Sequence, residues 1–174
     1  MKGYGVTVMI RKVGLILLVG TVALLSGCGL YTFSGAVPGG VQTIAVPLFD
    51  NNTAEYGIRE QLTDAVINRF LRDNIMKVVD IGSAQAILRG TILTVLDQPY
   101  TFQATETVQE YRIIVTVRVV MEDTQTGETS WSQEFSEWGT YPFSSGGSAE
   151  RDAGLAQAMG KLTEDISNKV VSGW

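Results

Sequence analysis

The chain has 174 residues, 45% hydrophobic and 18% charged, enough for one domain with its own core. It carries 13 Lys and Arg, 18 Asp and Glu, no His and one Cys. No unperturbed side chain therefore titrates near neutrality, which excludes Ser–His–Asp triads, Cys–His pairs and most zinc sites. An internal disulfide is impossible, and an acidic chain without a basic patch is a poor match for nucleic acid.

Lys2, Arg11 and Lys12 make a basic start, and Val13 to Leu25 then run almost wholly apolar. That run is shorter than the roughly 20 residues a helix needs to cross the hydrocarbon layer. A basic region, a short apolar stretch and small residues together read as a secretory signal over 1–27. Leu25-Ser26-Gly27-Cys28 resembles the bacterial lipobox, which implies that Cys28 is acylated and becomes the first mature residue. Each buried CH₂ adds about 0.8 kcal/mol, so several acyl chains at Cys28 would hold the protein on a membrane permanently. Gly29 follows the Cys, and the Asp that commonly retains lipoproteins in the inner membrane is absent, so the expected location is the outer membrane. Without the signal the chain keeps 10 basic and 18 acidic residues, a net charge of −8.

Residues 28–40 read as a Gly- and Pro-containing tether, and 41–174 as a single folded domain. Val41–Pro47 is a β-branched run closed by Pro47, hence a first strand. Asp50-Asn51-Asn52-Thr53 reads as a turn and helix cap. From Tyr56 to Asp73, the apolar Ile58, Leu62, Ala65, Val66 and Phe70 fall at helical spacing. Lys77–Asp80 is a short strand, Ile87–Leu96 a third, and Glu110–Glu122 the fourth and longest. In the fourth, Tyr111, Ile113, Val115, Val117, Val119 and Met121 share one face. Asp123–Glu128 is a hairpin turn, and Thr129–Trp138 the fifth strand. Ser148 is placed to cap a last helix, with Arg151 where a capping box would carry Glu; Leu155, Met159, Leu162, Ile166 and Val170 form its buried stripe. The expected fold is α+β, in the order β-α-β-β-β-α. Two helices pack on one face of a four- or five-stranded mixed sheet.

Little in the sequence can carry covalent chemistry. Asp50 to Glu55 lacks the ligand spacing of an EF-hand, and Gly39-Gly40 and Gly146-Gly147 lack the context of a phosphate loop. Nothing near Glu134/Glu137 or Glu122/Asp123 would raise one carboxyl pKa into general-acid range. The expectation is a non-enzyme with no cofactor and no metal. Two features point to recognition instead. The connections 97–109 and 139–147 carry Tyr100, Phe102, Tyr141 and Phe143, which simple up-and-down counting brings to one rim, a candidate partner contact; the alternative is that the rings fold back as lids over the ends of the core. Arg112 and Arg118, joined by Arg89, form a candidate anion-binding patch; the alternative is a solvated face on which they pair with Glu122 and Glu134.

Cys28 with Gly29-Leu30-Tyr31-Thr32-Phe33, Ile44-Ala45-Val46-Pro47, Phe49-Asp50-Asn51, Glu60-Gln61-Leu62-Thr63 with Phe70, and Ala84–Gly90 form a recurrent pattern. Glu110-Tyr111-Arg112, and Asp123 with Thr126-Gly127 before Trp131, extend it over nearly all of 28–171. The pattern resembles the LptE family of lipopolysaccharide-assembly lipoproteins. The resemblance implies an outer-membrane lipoprotein that plugs the β-barrel of its partner LptD, assists its assembly and helps pass lipopolysaccharide to the outer leaflet. Taken with that resemblance, the anion-binding candidates Arg89, Arg112 and Arg118 become candidate contacts to lipopolysaccharide phosphates, local ones because the net charge opposes a polyanion. Ile44 to Asn51 also resembles the opening of curli-secretion and penicillin-binding-protein-activator lipoproteins, which would imply a secretion or cell-wall accessory. A channel subunit would need alternating membrane strands of about 9–11 residues, and the charges on strands four and five argue against lipid exposure. An activator would need a longer flexible arm than 29–40.

Overall fold

The computed structural model describes residues 40–102, 108–143 and 148–172. The signal over 1–27, Cys28 and nearly all of the tether lie outside the described residues. Along the chain run β1 (Thr43–Ala45), β2 (Asp50–Asn51), α1 (Ile58–Arg72), β3 (Lys77–Val78), a 3-10 turn (Ile81–Ser83), β4 (Ala86–Phe102), β5 (Val108–Asp123), β6 (Thr129–Pro142) and α2 (Ser148–Ser172). They build a single α+β domain in which both helices cover one face of a mixed sheet. The sheet has six strands, one more than expected, in the order β3-β1-β4-β5-β6 with β2 also beside β4.

Alternation makes the centre of the sheet. Ile113, Val115, Val117, Val119 and Met121 of β5 are fully buried on the helix side, each worth about 1.5–3 kcal/mol of apolar burial. The helices meet them with Ile58, Leu62, Val66 and Phe70 from α1 and with Leu155, Leu162, Ile166 and Val170 from α2. Short parallel β1 and β2 run in tandem along one side of β4, at Ala86–Ile87 and at Thr91–Ile92. Between them the chain bends past Pro47 and tucks Phe49 against Gly90, where an added Cβ would lie 2.3 Å from the Phe49 ring. The Phe49 N–H donates to Thr63 Oγ1 at 3.0 Å, tying this bend to α1.

The structure corrects two local expectations. Asp50–Asn51 is strand rather than helix cap, because extended backbone here gains ladder bonds to β4, as does Asn52 N–H to the Ile92 carbonyl. α1 starts after Gly57 at φ +73°, with no side-chain cap. Asn51 organises the intervening turn instead, accepting from the Thr53 N–H (3.0 Å) and donating to the Glu55 carbonyl (2.9 Å). The second correction concerns length. Residues 97–102 and 139–142, read as loops, continue β4 and β6. Pro99 is tolerated opposite Tyr111 because β4 pairs on its other side only as far as Ile92 among the described residues, so the missing N–H breaks no ladder.

α2 lies directly on β6. A Cβ on Gly139 would sit 2.0 Å from the Gly154 carbonyl oxygen, so this approach needs glycine on the strand. At the outer edge of β6, Gln157 Oε1 accepts from the Thr140 N–H (3.0 Å), and Lys161 Nζ donates to the Trp138 carbonyl (2.8 Å).

Candidate functional site

The uncovered face of the sheet carries Arg89, Arg112 and Arg118 together, in two places. Arg118 pairs across the strands with Thr91, and Arg89 with the neighbouring Val120, so these two are diagonal neighbours. Arg112 lies six residues further along β5, about 20 Å away at strand spacing. Arg89 Nε meets Glu122 Oε2 at 3.0 Å, and Arg118 holds Glu134 Oε1 at 2.6 Å from its NH2. Both pairs stand partly or half in water. Arg112 differs: among the described residues it has no carboxylate partner. Its NH2 donates to Gln98 Oε1 (3.2 Å), its guanidinium lies 5.7 Å from the Tyr100 ring centroid, and its Nε is buried without a hydrogen bond.

Around Arg112 the open face turns apolar. Leu96, Ile114 and Trp138 lie in register across β4, β5 and β6, and the Tyr100 ring is 5.4 Å from Trp138. Leu96 and Tyr100 are 49% and 43% exposed, which makes this a surface patch rather than a lid. Trp138 was visible in the sequence as a parity signal: it is odd-numbered steps from Trp131 and Phe135, so it faces the other way.

The expected aromatic rim is divided between two faces. Tyr100 is on the open face, whereas Tyr141 and Phe143 are on the helix side, beyond the start of α2. Tyr141 stacks on Tyr111 at 5.7 Å and 17°, and Phe143 lies 5.7 Å from Tyr111. The split follows from the strand continuation: once 97–102 and 139–142 are β, successive side chains alternate. Phe102 has its backbone in β4, and its side chain lies outside the described residues.

Beside this aromatic stack is a cluster that hydrophobic periodicity does not announce. Arg151, in the first turn of α2, forks onto Glu55 (NH1–Oε1 3.0 Å, NH2–Oε2 2.8 Å). The same guanidinium reaches Asp97 of β4 through Nε (3.2 Å) and NH2 (2.9 Å). The Tyr141 hydroxyl donates to Asp97 Oδ1 at 2.7 Å. Partial burial and then the hydrogen bond to the Asp97 carboxylate push the Tyr141 phenol up to about 12. Arg151 thus ties the start of α2 to the turn that leads into α1 and to β4.

In front of α1 a cleft of about 580 Å³ is lined by Asn51, Thr53, Tyr56 and Arg59 among others. Arg59 is engaged there by Glu60 at 2.8 Å, which holds the Glu60 carboxyl below its usual range. Among the described residues no group of three or more His, Cys, Asp or Glu is placed to hold a metal ion. None of the described helices is long and apolar enough to cross a membrane.

The family model for LptE, described as lipopolysaccharide-assembly, matches residues 41–170, which is most of the chain. The chain belongs to the LptE family. The match spans every strand and both helices as far as residue 170, so the clasp at Arg151 and the arginine-bearing open face both lie within the LptE domain. No curated protein sequence matches the chain. Solved structures share the fold of this LptE domain at low identity. A protein from Xanthomonas campestris aligns at TM-score 0.55 and 14% identity, covering 75% of this chain and 84% of its own. A minor lipoprotein from Acinetobacter baumannii aligns at TM-score 0.53 and 13% identity, covering 76% and 92%. An uncharacterized lipoprotein B from Nitrosomonas europaea aligns at TM-score 0.51 and 17% identity, covering 76% and 83%.

Proposed function

We propose that this LptE-family chain is an outer-membrane lipoprotein, anchored through acylated Cys28, that acts as plug and assembly partner of an LptD-like β-barrel. In that role it serves the transport of lipopolysaccharide to the outer leaflet. The family match over 41–170 carries this reading. The physical form supports it. A six-stranded sheet backed by two helices is a stiff wedge, and its aromatic end, with Tyr100 on one face and Tyr141 and Phe143 on the other, suits a partner that surrounds it. The action is non-covalent binding. The domain arrangement is a signal over 1–27, a lipidated tether over 28–40 and the functional domain over 41–174.

Contact with lipopolysaccharide phosphates would be local, since the mature net charge of −8 opposes a polyanion. Arg112 is the best placed of the three arginines, a cation without a carboxylate partner among the described residues, flanked by Tyr100 and Trp138. Arg89 and Arg118 are available too, because exposed ion pairs such as theirs are worth only about 0.2–1 kcal/mol and a phosphate can replace the carboxylate.

The test is affinity purification of the full lipidated chain from solubilised outer membranes. Recovery of a large β-barrel is the expected result, reduced when Tyr100, Phe102, Tyr141 and Phe143 are all changed to Ser. Recovery of a murein synthase or a secretion channel in place of the barrel would refute the reading.

A further inference from the structure

Resting on the plug reading above, we propose that Arg151 is a positioning residue. By clamping Asp97 and Glu55 together it fixes the Tyr141 side chain, so that the Tyr111–Tyr141–Phe143 face is presented to the barrel only once α2 is seated.

The connections run in one line. Arg151 holds Asp97, Asp97 holds the Tyr141 hydroxyl, Tyr141 stacks on Tyr111, and Tyr111 meets Phe143. The partners come from five separate places: the turn before α1, β4, β5, the end of β6 and α2. Arg151 is 96 residues from Glu55 and 54 from Asp97, so neither contact can form before the last helix has docked. A planar guanidinium serves both carboxylates at once, which an ammonium cannot do with the same geometry. Without it, two partly shielded carboxylates would face each other with no cation between them. Asp97 would then turn to water and release the phenol. The Gly139–Gly154 contact sits two residues from Tyr141 and three from Arg151, so seating the helix and closing the clasp are one event.

The experiment uses the full lipidated chain with its partner, comparing Arg151→Gln, Arg151→Lys and Tyr141→Phe. Hydrogen exchange of the 139–143 amides is expected to rise about tenfold in Arg151→Gln, while the core of β5 keeps its protection. Barrel recovery should fall about fivefold, with Arg151→Lys restoring only part of it. Full rescue by Lys would refute the need for the fork. Unchanged exchange and unchanged recovery in Arg151→Gln would overturn the positioning role. Should that variant fail to fold, Tyr141→Phe keeps every ion pair and removes only the hydroxyl; recovery equal to wild type would then overturn the proposal. Wild-type chain that recovers no barrel refutes the plug reading instead. In that case unchanged exchange at 139–143 in Arg151→Gln still refutes the role of Arg151.

Discussion

Arg118 and Arg151 hold carboxylates at similar distances, 2.6 and 2.8 Å, yet their surroundings give them different work. The side chains of Arg118 and Glu134 are 51% and 52% exposed, whereas those of Arg151 and Glu55 are 27% and 22%. In water the attraction is screened and the ordering entropy nearly offsets it. At the foot of α2 the same charges are partly desolvated, the fork is doubled by Asp97, and removing the cation strands two acids. Distance alone would have ranked these pairs in the wrong order. The open face has ions free to exchange partners, and the helix end has ions that hold elements together.

The comparison can be broken most sharply without touching a charge. Gly139→Ala forces α2 off its seat, since the new methyl meets backbone rather than a movable side chain. It should destabilise the domain by about 3 kcal/mol in denaturant titration and loosen the clasp with it. Arg151→Gln should lower stability by about 2 kcal/mol and Arg118→Gln by no more than about 0.5, measured in parallel; equal values would erase the distinction. Arg112→Glu with Arg118→Glu should weaken lipopolysaccharide binding about tenfold, with the far-ultraviolet circular dichroism unchanged. The smallest effect is in alkali. The Tyr141 phenol is neutral in the folded state to about 12, against about 10 when unfolded. Stability from this group is therefore complete below pH about 10 and lost as pH rises from about 10 to 12. Asp97→Asn should remove part of that slope, the part due to the Asp97 carboxylate rather than to burial, in alkaline denaturation followed by fluorescence.

What the sequence made legible was what repeats. Leu155, Met159, Leu162, Ile166 and Val170 are all buried, as their spacing required, and so are the odd residues of β5 from Ile113 to Met121. Elements whose residues contradict their conformation stayed hidden. Asp50 and Asn51 are turn formers by propensity, and only the ladder with Thr91 and Ile92 makes them strand. Asp97-Gln98-Pro99 reads as a stop, and it continues as strand because that side of β4 has no strand beside it past Ile92 among the described residues. That continuation is also why the aromatic residues alternate between faces. The three arginines share the open face, but that two of them meet a carboxylate and Arg112 none among the described residues depends on cross-strand register, which periodicity does not give. The clasp joins residues 55, 97, 141 and 151, and its single trace in the sequence is the Arg at the third position after Ser148, where an acid would be usual.

β6 is the last strand of the sheet, and α2 lends it two side chains. Gln157 takes the Thr140 amide and Lys161 the Trp138 carbonyl, while the Lys161 ammonium also rests 4.2 Å from the indole centroid. Any foreign strand adding along this stretch would have to evict both. This stretch of the border is thus guarded by α2 against cross-chain strand addition, and a chain cut short before Gln157 is expected to stick to its own copies through the bared stretch.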